Sequence, residues 1–142
     1  MTDFESKYFQ KTSFSKEQLA NFLNAAVHDL EIAKASDIPD VVFKFSYDAL
    51  IKTGIALIAE EGYKVRSSAG HHVMIIEKLS VLLNDNDIMI LGNKMRQDRN
   101  ANLYEGIFYV SEKNTREYLA FVKLILAKAE KKIRRKDSGD GS

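Results

Sequence analysis

The chain has 142 residues, a formal net charge of +1, and hydrophobic side chains at 45% of its positions. These values suit one globular domain with one core, and they argue against a globally basic nucleic-acid binder. The absence of cysteine excludes a disulfide scaffold, a thiol nucleophile and a thiolate metal site. The start of the chain lacks the apolar core of a signal peptide, and no stretch approaches the roughly 18 apolar residues of a membrane span. We therefore expect a cytoplasmic protein with no membrane association.

The first two predicted helices have clear sequence signals at their ends. The first runs from about Ser15 to Ala35, and Ser15 together with Gln18 forms a capping-box pattern at its start. The second begins near Pro39, because proline suits a first helical turn, and ends before Gly62. This second helix is apolar nearly all round, so we expect neighbours on several sides and a central position in the fold. Gly54 and Ala56 within it would allow a neighbour to approach closely.

Three further helices follow a polar connection from Gly62 to Gly70. Their predicted spans are His71 to Leu83, Asp87 to Glu105 with Gly106 closing it, and about Ser111 to Arg135.

Short connections between long helices predict an all-α fold, an up-and-down antiparallel bundle of four to five helices. We treat residues 1–142 as one domain with an ordered core of about 15–135. The polar stretch 137–142 is expected to be a flexible tail.

The fourth helix carries a charged residue where an apolar one is expected. Arg99 falls on the same face as a set of apolar or small residues when the helix is projected at roughly 100° per residue. A guanidinium cannot lose its charge by deprotonation, so it needs a carboxylate of the same chain, a neighbouring subunit or a phosphate. Alternatively, Arg99 could have a structural role and fasten the bundle by pairing with an internal acid, either Asp48, the best candidate, or another buried one. The apolar face comprises Ile88, Leu91, Gly92, Met95 and Leu103.

Other titratable residues give weaker signals. The adjacent His71 and His72 point about 100° apart on a helix and cannot easily bind one metal, so we expect no metal and no cofactor. One of them is expected to cap or pack, and the other to be exposed. We expect His28 to lie on the surface and Glu60 and Glu61 to form a solvated turn. The basic residues near the C-terminal end are expected either to form a solvated last helical turn or to attract RNA electrostatically.

Three sequence segments resemble the HEPN domain family. They are "ALIAEEGY" at the end of the second helix, "GHH" at the start of the third and "RNANLY" in the fourth. The resemblance covers Leu19 to Ile133. The family motif is an arginine, usually a polar residue next, and a histidine after four to six intervening positions. Arg99 and Asn100 match the first two positions, and Tyr104 stands where the histidine is expected.

The resemblance implies a helical homodimer in which the two motif segments meet across the interface. Many family members are metal-independent endoribonucleases that act as toxins or defence proteins, often neutralised by a nucleotidyltransferase antitoxin. Others are catalytically silent modules that bind nucleotide or RNA or dock such a partner. The implied catalytic residues are Arg99, Asn100 and Tyr104. Phosphate or RNA contacts are expected at Arg96, Arg99 and Asn102. The candidate supporting residues are Asp48, His71 and His72.

The three motif residues differ in how well they suit RNA cleavage. Arg99 can stabilise charge on the phosphate, and Asn100 can orient it through a hydrogen bond. Tyrosine, with an ordinary pKa of about 10, is a poor general base at neutral pH. Tyr104 therefore predicts weak or absent cleavage with phosphate binding retained, unless the fold brings His71 or His72 close enough to act as the base. A ribonuclease, a silent binding module and a helical interaction protein with no nucleic-acid role all remain open.

Overall fold

The computed structural model describes residues 3–106 and 110–137. In these ranges the chain forms, in order, β1 (Phe9–Lys11), α1 (Lys16–Ala35), α2 (Pro39–Glu60), β2 (Tyr63–Val65), α3 (His71–Leu83), α4 (Asp87–Glu105) and α5 (Glu112–Arg135). The predicted all-α helical bundle is confirmed, and each predicted helix is found within about one residue of its expected ends.

The helix ends follow from local hydrogen bonding and backbone freedom. The Ser15 hydroxyl accepts from the Gln18 amide at 3.1 Å, and the Gln18 side chain accepts from the Ser15 amide at 2.8 Å. This is the predicted capping box. Gly62 and Gly106 follow α2 and α4 with φ of 89° and 71°, a left-handed conformation that glycine adopts without steric cost.

Helix α2 is the centre of the molecule, as its nearly all-round apolar surface predicts. It packs against each of the other four helices. A Cβ added at Gly54 would lie 2.5 Å from the Ile75 Cγ2 of α3, so the missing side chain is what lets these two helices approach. The predicted close approach at Gly54 is confirmed.

The helix directions depart from strict alternation at one step. Tyr47 of α2 meets His72 of α3, and Gly54 of α2 meets Leu79 of α3, so the two helices advance in the same sense. The connection 62–70 carries the chain back along α2 as far as Tyr47, near the middle of that helix, where α3 begins. By contrast, α4 and α5 run in opposite directions, with side-chain bonds near both ends of their contact.

A small antiparallel sheet was not expected from the sequence. Strand β1 pairs with β2, with Phe9 opposite Val65, and the Phe9 side chain is only 2% exposed. Each strand has three residues, too few to show an alternating pattern. The Lys78 ammonium lies over the rings of Phe4 and Phe9 and donates to the Asp3 carbonyl. Ordered structure therefore begins before residue 15, and the connection 62–70 is partly a strand.

Some predictions about charged surface residues need correction. The Glu60 side chain is only 9% exposed and lies 4.0 Å from the Lys136 ammonium, so it is not part of a solvated turn. Burial raises the pKa of this carboxyl. His28 is exposed, as predicted.

Of the predicted tail, Asp137 continues the helical path of α5, and residues 138–142 lie outside the described residues. In the described part of the chain, none of the helices combines the length and apolarity needed to cross a membrane.

Candidate functional site

A cavity of about 300 Å³ opens between α2 and the C-terminal half of α4. The two helices contribute residues spaced three or four positions apart, so each presents one face to the cavity. The lining residues are Asp40, Phe43, Lys44, Tyr47 and Asp48 from α2, Arg99, Asn102 and Leu103 from α4, and Val110 before α5.

Arg99 occupies the wall of this cavity. Its guanidinium carbon lies 5.7 Å from the centroid of the Tyr47 ring, in cation–π range. Among the residues that the structure describes, Arg99 has no hydrogen-bond or ion-pair partner. The carboxylate of Asp48 is paired instead with the Lys44 ammonium, at 2.9 Å. The interpretation of Arg99 as a fastener of the bundle through Asp48 is therefore wrong.

The phenol beneath Arg99 is tied to the imidazole of His72. The Tyr47 hydroxyl lies 2.8 Å from His72 Nδ1, and the tyrosine is 1% exposed. Burial raises the pKa of Tyr47 to about 12. Burial, followed by the nearby His71 and Arg99, lowers the pKa of His72 to about 4. At neutral pH the phenol is thus protonated and the imidazole is neutral, so the phenol can donate to Nδ1.

The other histidine, His71, bonds to the connection before α3 and packs against His72. His71 Nδ1 lies 2.8 Å from the Ser68 carbonyl oxygen, and its ring packs edge-on against His72 with centroids 4.6 Å apart. Both imidazoles are partly buried, so the prediction that one of the two would be exposed is wrong. The fold does place His72 next to the Tyr47–Arg99 contact, so one of the two histidines lies near Arg99.

Arg96 adds a second positive charge to the same region. Its Nε donates to the Asn93 side-chain oxygen of the preceding turn at 3.4 Å. The positive charges of Arg96 and Arg99 partly offset the burial that raises the pKa of Tyr47, and they add to the burial that lowers the pKa of His72. The two arginines come from consecutive turns of α4, and the Arg99 guanidinium is the one that contacts the Tyr47 ring.

Of Asn100, Asn102 and Tyr104, Asn102 is the one that lines the cavity together with Arg99. Asn102 lines the cavity and Asn100 is partly buried, whereas Tyr104 is 80% exposed and does not line it. The apolar face of α4 also changes along the helix. Met95 is buried, but Leu103 is 55% exposed. The last turns of α4 thus leave the core and present Leu103 and Tyr104 to the outside.

Sequence reasoning missed Tyr47 as a site residue. The signal for it was available, because a buried tyrosine usually finds a hydrogen-bond partner for its hydroxyl. A second missed tyrosine is Tyr118 of α5, whose hydroxyl donates to Asp98 at 2.6 Å and accepts from Lys94 at 3.2 Å. Burial and the Asp98 carboxylate raise the pKa of Tyr118. This contact fixes α4 against α5 one residue before Arg99.

The site offers fixed cations, a neutral imidazole and an apolar floor. Within residues 3–106 and 110–137, no group of three or more histidine, aspartate or glutamate side chains is arranged to hold a metal ion. Comparison of the chain with models of protein families, with curated proteins and with solved structures finds no match.

Proposed function

We propose that this protein is a HEPN-type toxin or defence protein, a homodimer that binds RNA phosphate at Arg99 and cleaves RNA without metal. The observation that carries the proposal is a partly buried guanidinium at a cavity wall, with no ionic partner among the described residues. An arginine held there retains its charge and presents fork-like donors that match phosphate oxygens.

The second arginine strengthens the case for a phosphate ligand. Arg96 lies one turn before Arg99 on α4, and the charges of both lower the pKa of the His72 imidazole. A phosphate placed between the two guanidiniums would relieve their mutual repulsion and accept hydrogen bonds from both.

The exposed end of α4 fits a composite site. Leu103 and Tyr104 leave the core within five residues of Arg99, and a second copy could cover both. In such a dimer Tyr104 and Asn100 of one protomer would join the arginines of the other.

A catalytically silent module that binds nucleotide or RNA, or docks a nucleotidyltransferase antitoxin, is the second candidate. The titratable groups beside Arg99 favour it, because a general base works best with a pKa near the working pH. The pKa of His72 is about 4 and that of Tyr47 about 12, on opposite sides of neutrality. Phosphate binding needs no such base.

The deciding experiment compares wild type, Arg99→Ala and Arg116→Ala. Arg116 is an exposed arginine of α5 paired with Glu112, and it serves as the matched control for loss of one positive charge. Each protein is expressed in cells to follow growth, and is purified and incubated with labelled single-stranded RNA in the presence of EDTA.

The nuclease proposal expects slow growth and EDTA-resistant cleavage for wild type and Arg116→Ala, and neither for Arg99→Ala. RNA binding without cleavage, weakened by Arg99→Ala alone, would identify the silent module. Equal RNA affinity for all three proteins, with no cleavage, would contradict both candidates and leave a helical interaction protein.

A further inference from the structure

We propose that the cavity beside Arg99 is a base-binding subsite that takes guanine, either as a residue of RNA or as a guanine nucleotide. The proposal rests on the proposed function for its phosphate contact. It adds a specificity that the arginines cannot provide, because phosphate contacts carry no base information.

The volume of the cavity limits what can enter it. Pockets that bind small molecules range from roughly 300 to 1,000 Å³, and this cavity, at about 300 Å³, is at the lower end. It is large enough for one nucleobase and too small for a duplex. Its floor is apolar, formed by Phe43 and Tyr47, and Leu103 and Val110 add further apolar lining. A flat heterocycle can stack on such a floor, as the bases of single-stranded RNA stack on aromatic side chains in other proteins.

The charges of the cavity wall determine the orientation of the ligand. Arg99 lies over Tyr47, and the neighbouring Asp48 presents a carboxylate to the same cavity. Lys44 holds Asp48 Oδ2, which leaves Oδ1 with no partner among the described residues. The carboxylate of Asp40 also lines the cavity. A phosphate would be repelled by these carboxylates, so we place it at the Arg99 guanidinium, and the group beside the carboxylates should be rich in N–H donors.

Guanine is the RNA base with two adjacent N–H donors, N1–H and N2–H, on its pairing edge. An ionised carboxylate only accepts hydrogen bonds, so it matches this edge. Adenine and cytosine each place a ring nitrogen acceptor next to their amino group, and uracil flanks its single N–H with two carbonyl oxygens. Each of these would turn a lone pair toward the carboxylate. The side-chain amide of Asn102, across the cavity, can donate to guanine O6.

The test measures binding of GMP, IMP, AMP and ribose 5-phosphate to the purified full chain by titration calorimetry. We expect GMP to bind most tightly. IMP, which lacks N2–H, and AMP, which lacks both donors, should bind about tenfold or more weakly, the usual range for a lost base contact. Ribose 5-phosphate reports the phosphate contact alone.

Two variants separate the subsite from the phosphate site. Asp48→Asn should abolish the preference for GMP over AMP and leave ribose 5-phosphate binding unchanged, and Arg99→Ala should weaken all four ligands alike. Asp37→Asn, an exposed carboxylate in the α1–α2 connection, is the control and should behave as wild type.

The outcomes distinguish failure of the subsite from failure of the proposed function. Equal affinity of wild type for GMP, IMP and AMP, or an unchanged GMP preference in Asp48→Asn, would overturn the guanine subsite. If Arg99→Ala still weakened ribose 5-phosphate in those cases, the phosphate site would stand. No effect of Arg99→Ala on ribose 5-phosphate binding would overturn the phosphate site and the proposed function with it.

Discussion

Tyr47 connects three parts of the site through one side chain. Its ring supports the Arg99 guanidinium, its hydroxyl bonds to His72, and its burial keeps the phenol protonated. The ring and the hydroxyl therefore have separable functions. The ring keeps a cation at the cavity wall, and the hydroxyl fixes the imidazole that lies behind it.

Substitutions of Tyr47 should separate these functions. Tyr47→Phe keeps the ring but leaves His72 Nδ1 without its partner, so we expect a loss of about 1–2 kcal/mol in unfolding free energy with RNA affinity nearly unchanged. Tyr47→Leu also removes the ring beneath Arg99 and should weaken RNA binding as well. Urea unfolding and RNA titration measure the two effects. Tyr104→Phe, at a residue 80% exposed, is the stability control. Equal RNA affinity for Tyr47→Leu and wild type would show that the ring does not position Arg99.

The neutral imidazole of His72 should make the fold sensitive to acid. The pKa of His72 is about 4 in the folded protein against 6.5 in the unfolded chain, so the unfolded state binds more protons between these values. The contribution of His72 to stability is complete above pH 6.5 and is lost as the pH falls to about 4. The loss should be about 1–2 kcal/mol, since partial solvent exposure screens the effect.

The matching variant is His72→Asn, which keeps an acceptor near the Tyr47 hydroxyl but does not titrate. Its unfolding free energy should fall less steeply than that of wild type between neutral pH and pH 4. Asn24→Gln, which changes an exposed residue of α1 and removes no titratable group, should keep the wild-type slope. Parallel slopes for wild type and His72→Asn would contradict the neutral, buried state of His72.

At the scale of the elements, local signals predicted the helices because their ends depend on nearby residues. The Ser15 capping box, Pro39 and Gly106 act over three or four positions, and each marks the end that the structure shows. The β1–β2 sheet could not be predicted, because its pairing joins residues far apart in the chain. The site could likewise be predicted only in part. The charge anomaly at Arg99 was visible in α4, but its contact with Tyr47 depends on how α2 and α4 pack.

The α2–α3 contact should tolerate no added methyl group. A Cβ at Gly54 would lie 2.5 Å from Ile75 Cγ2, and one at Gly92 of α4 would lie 2.9 Å from Ile76 Cγ2. Gly54→Ala should therefore lower the unfolding free energy by about 1–3 kcal/mol despite the better helix propensity of alanine, and Gly92→Ala should cost less. Thermal and urea denaturation measure both. A Gly54→Ala protein more stable than wild type would show that α3 can shift away freely.

At the scale of the whole molecule, the basic C-terminal end is partly used to hold the bundle together. Lys128 pairs with Asp85 at 2.7 Å, and Lys136 lies beside Glu60. These ion pairs fasten α5 to the start of α4 and to the end of α2. The hypothesis that this end attracts RNA can be tested by the slope of RNA affinity against salt concentration, which reports how many phosphates the protein neutralises.

The most demanding prediction for the whole molecule is that two copies associate through the end of α4. Leu103 and Tyr104 are 55% and 80% exposed, and burying such side chains between copies would remove apolar surface from water while placing Tyr104 near the partner's Arg99. Leu103→Glu should therefore yield a monomer by sedimentation and lose RNA cleavage. Leu124→Glu, at an exposed leucine of α5, should remain dimeric and active. A wild-type protein that sediments as a monomer at micromolar concentration, or a dimeric Leu103→Glu, would rule out a composite site at this surface, because Tyr104 could then not reach Arg99 of a second copy.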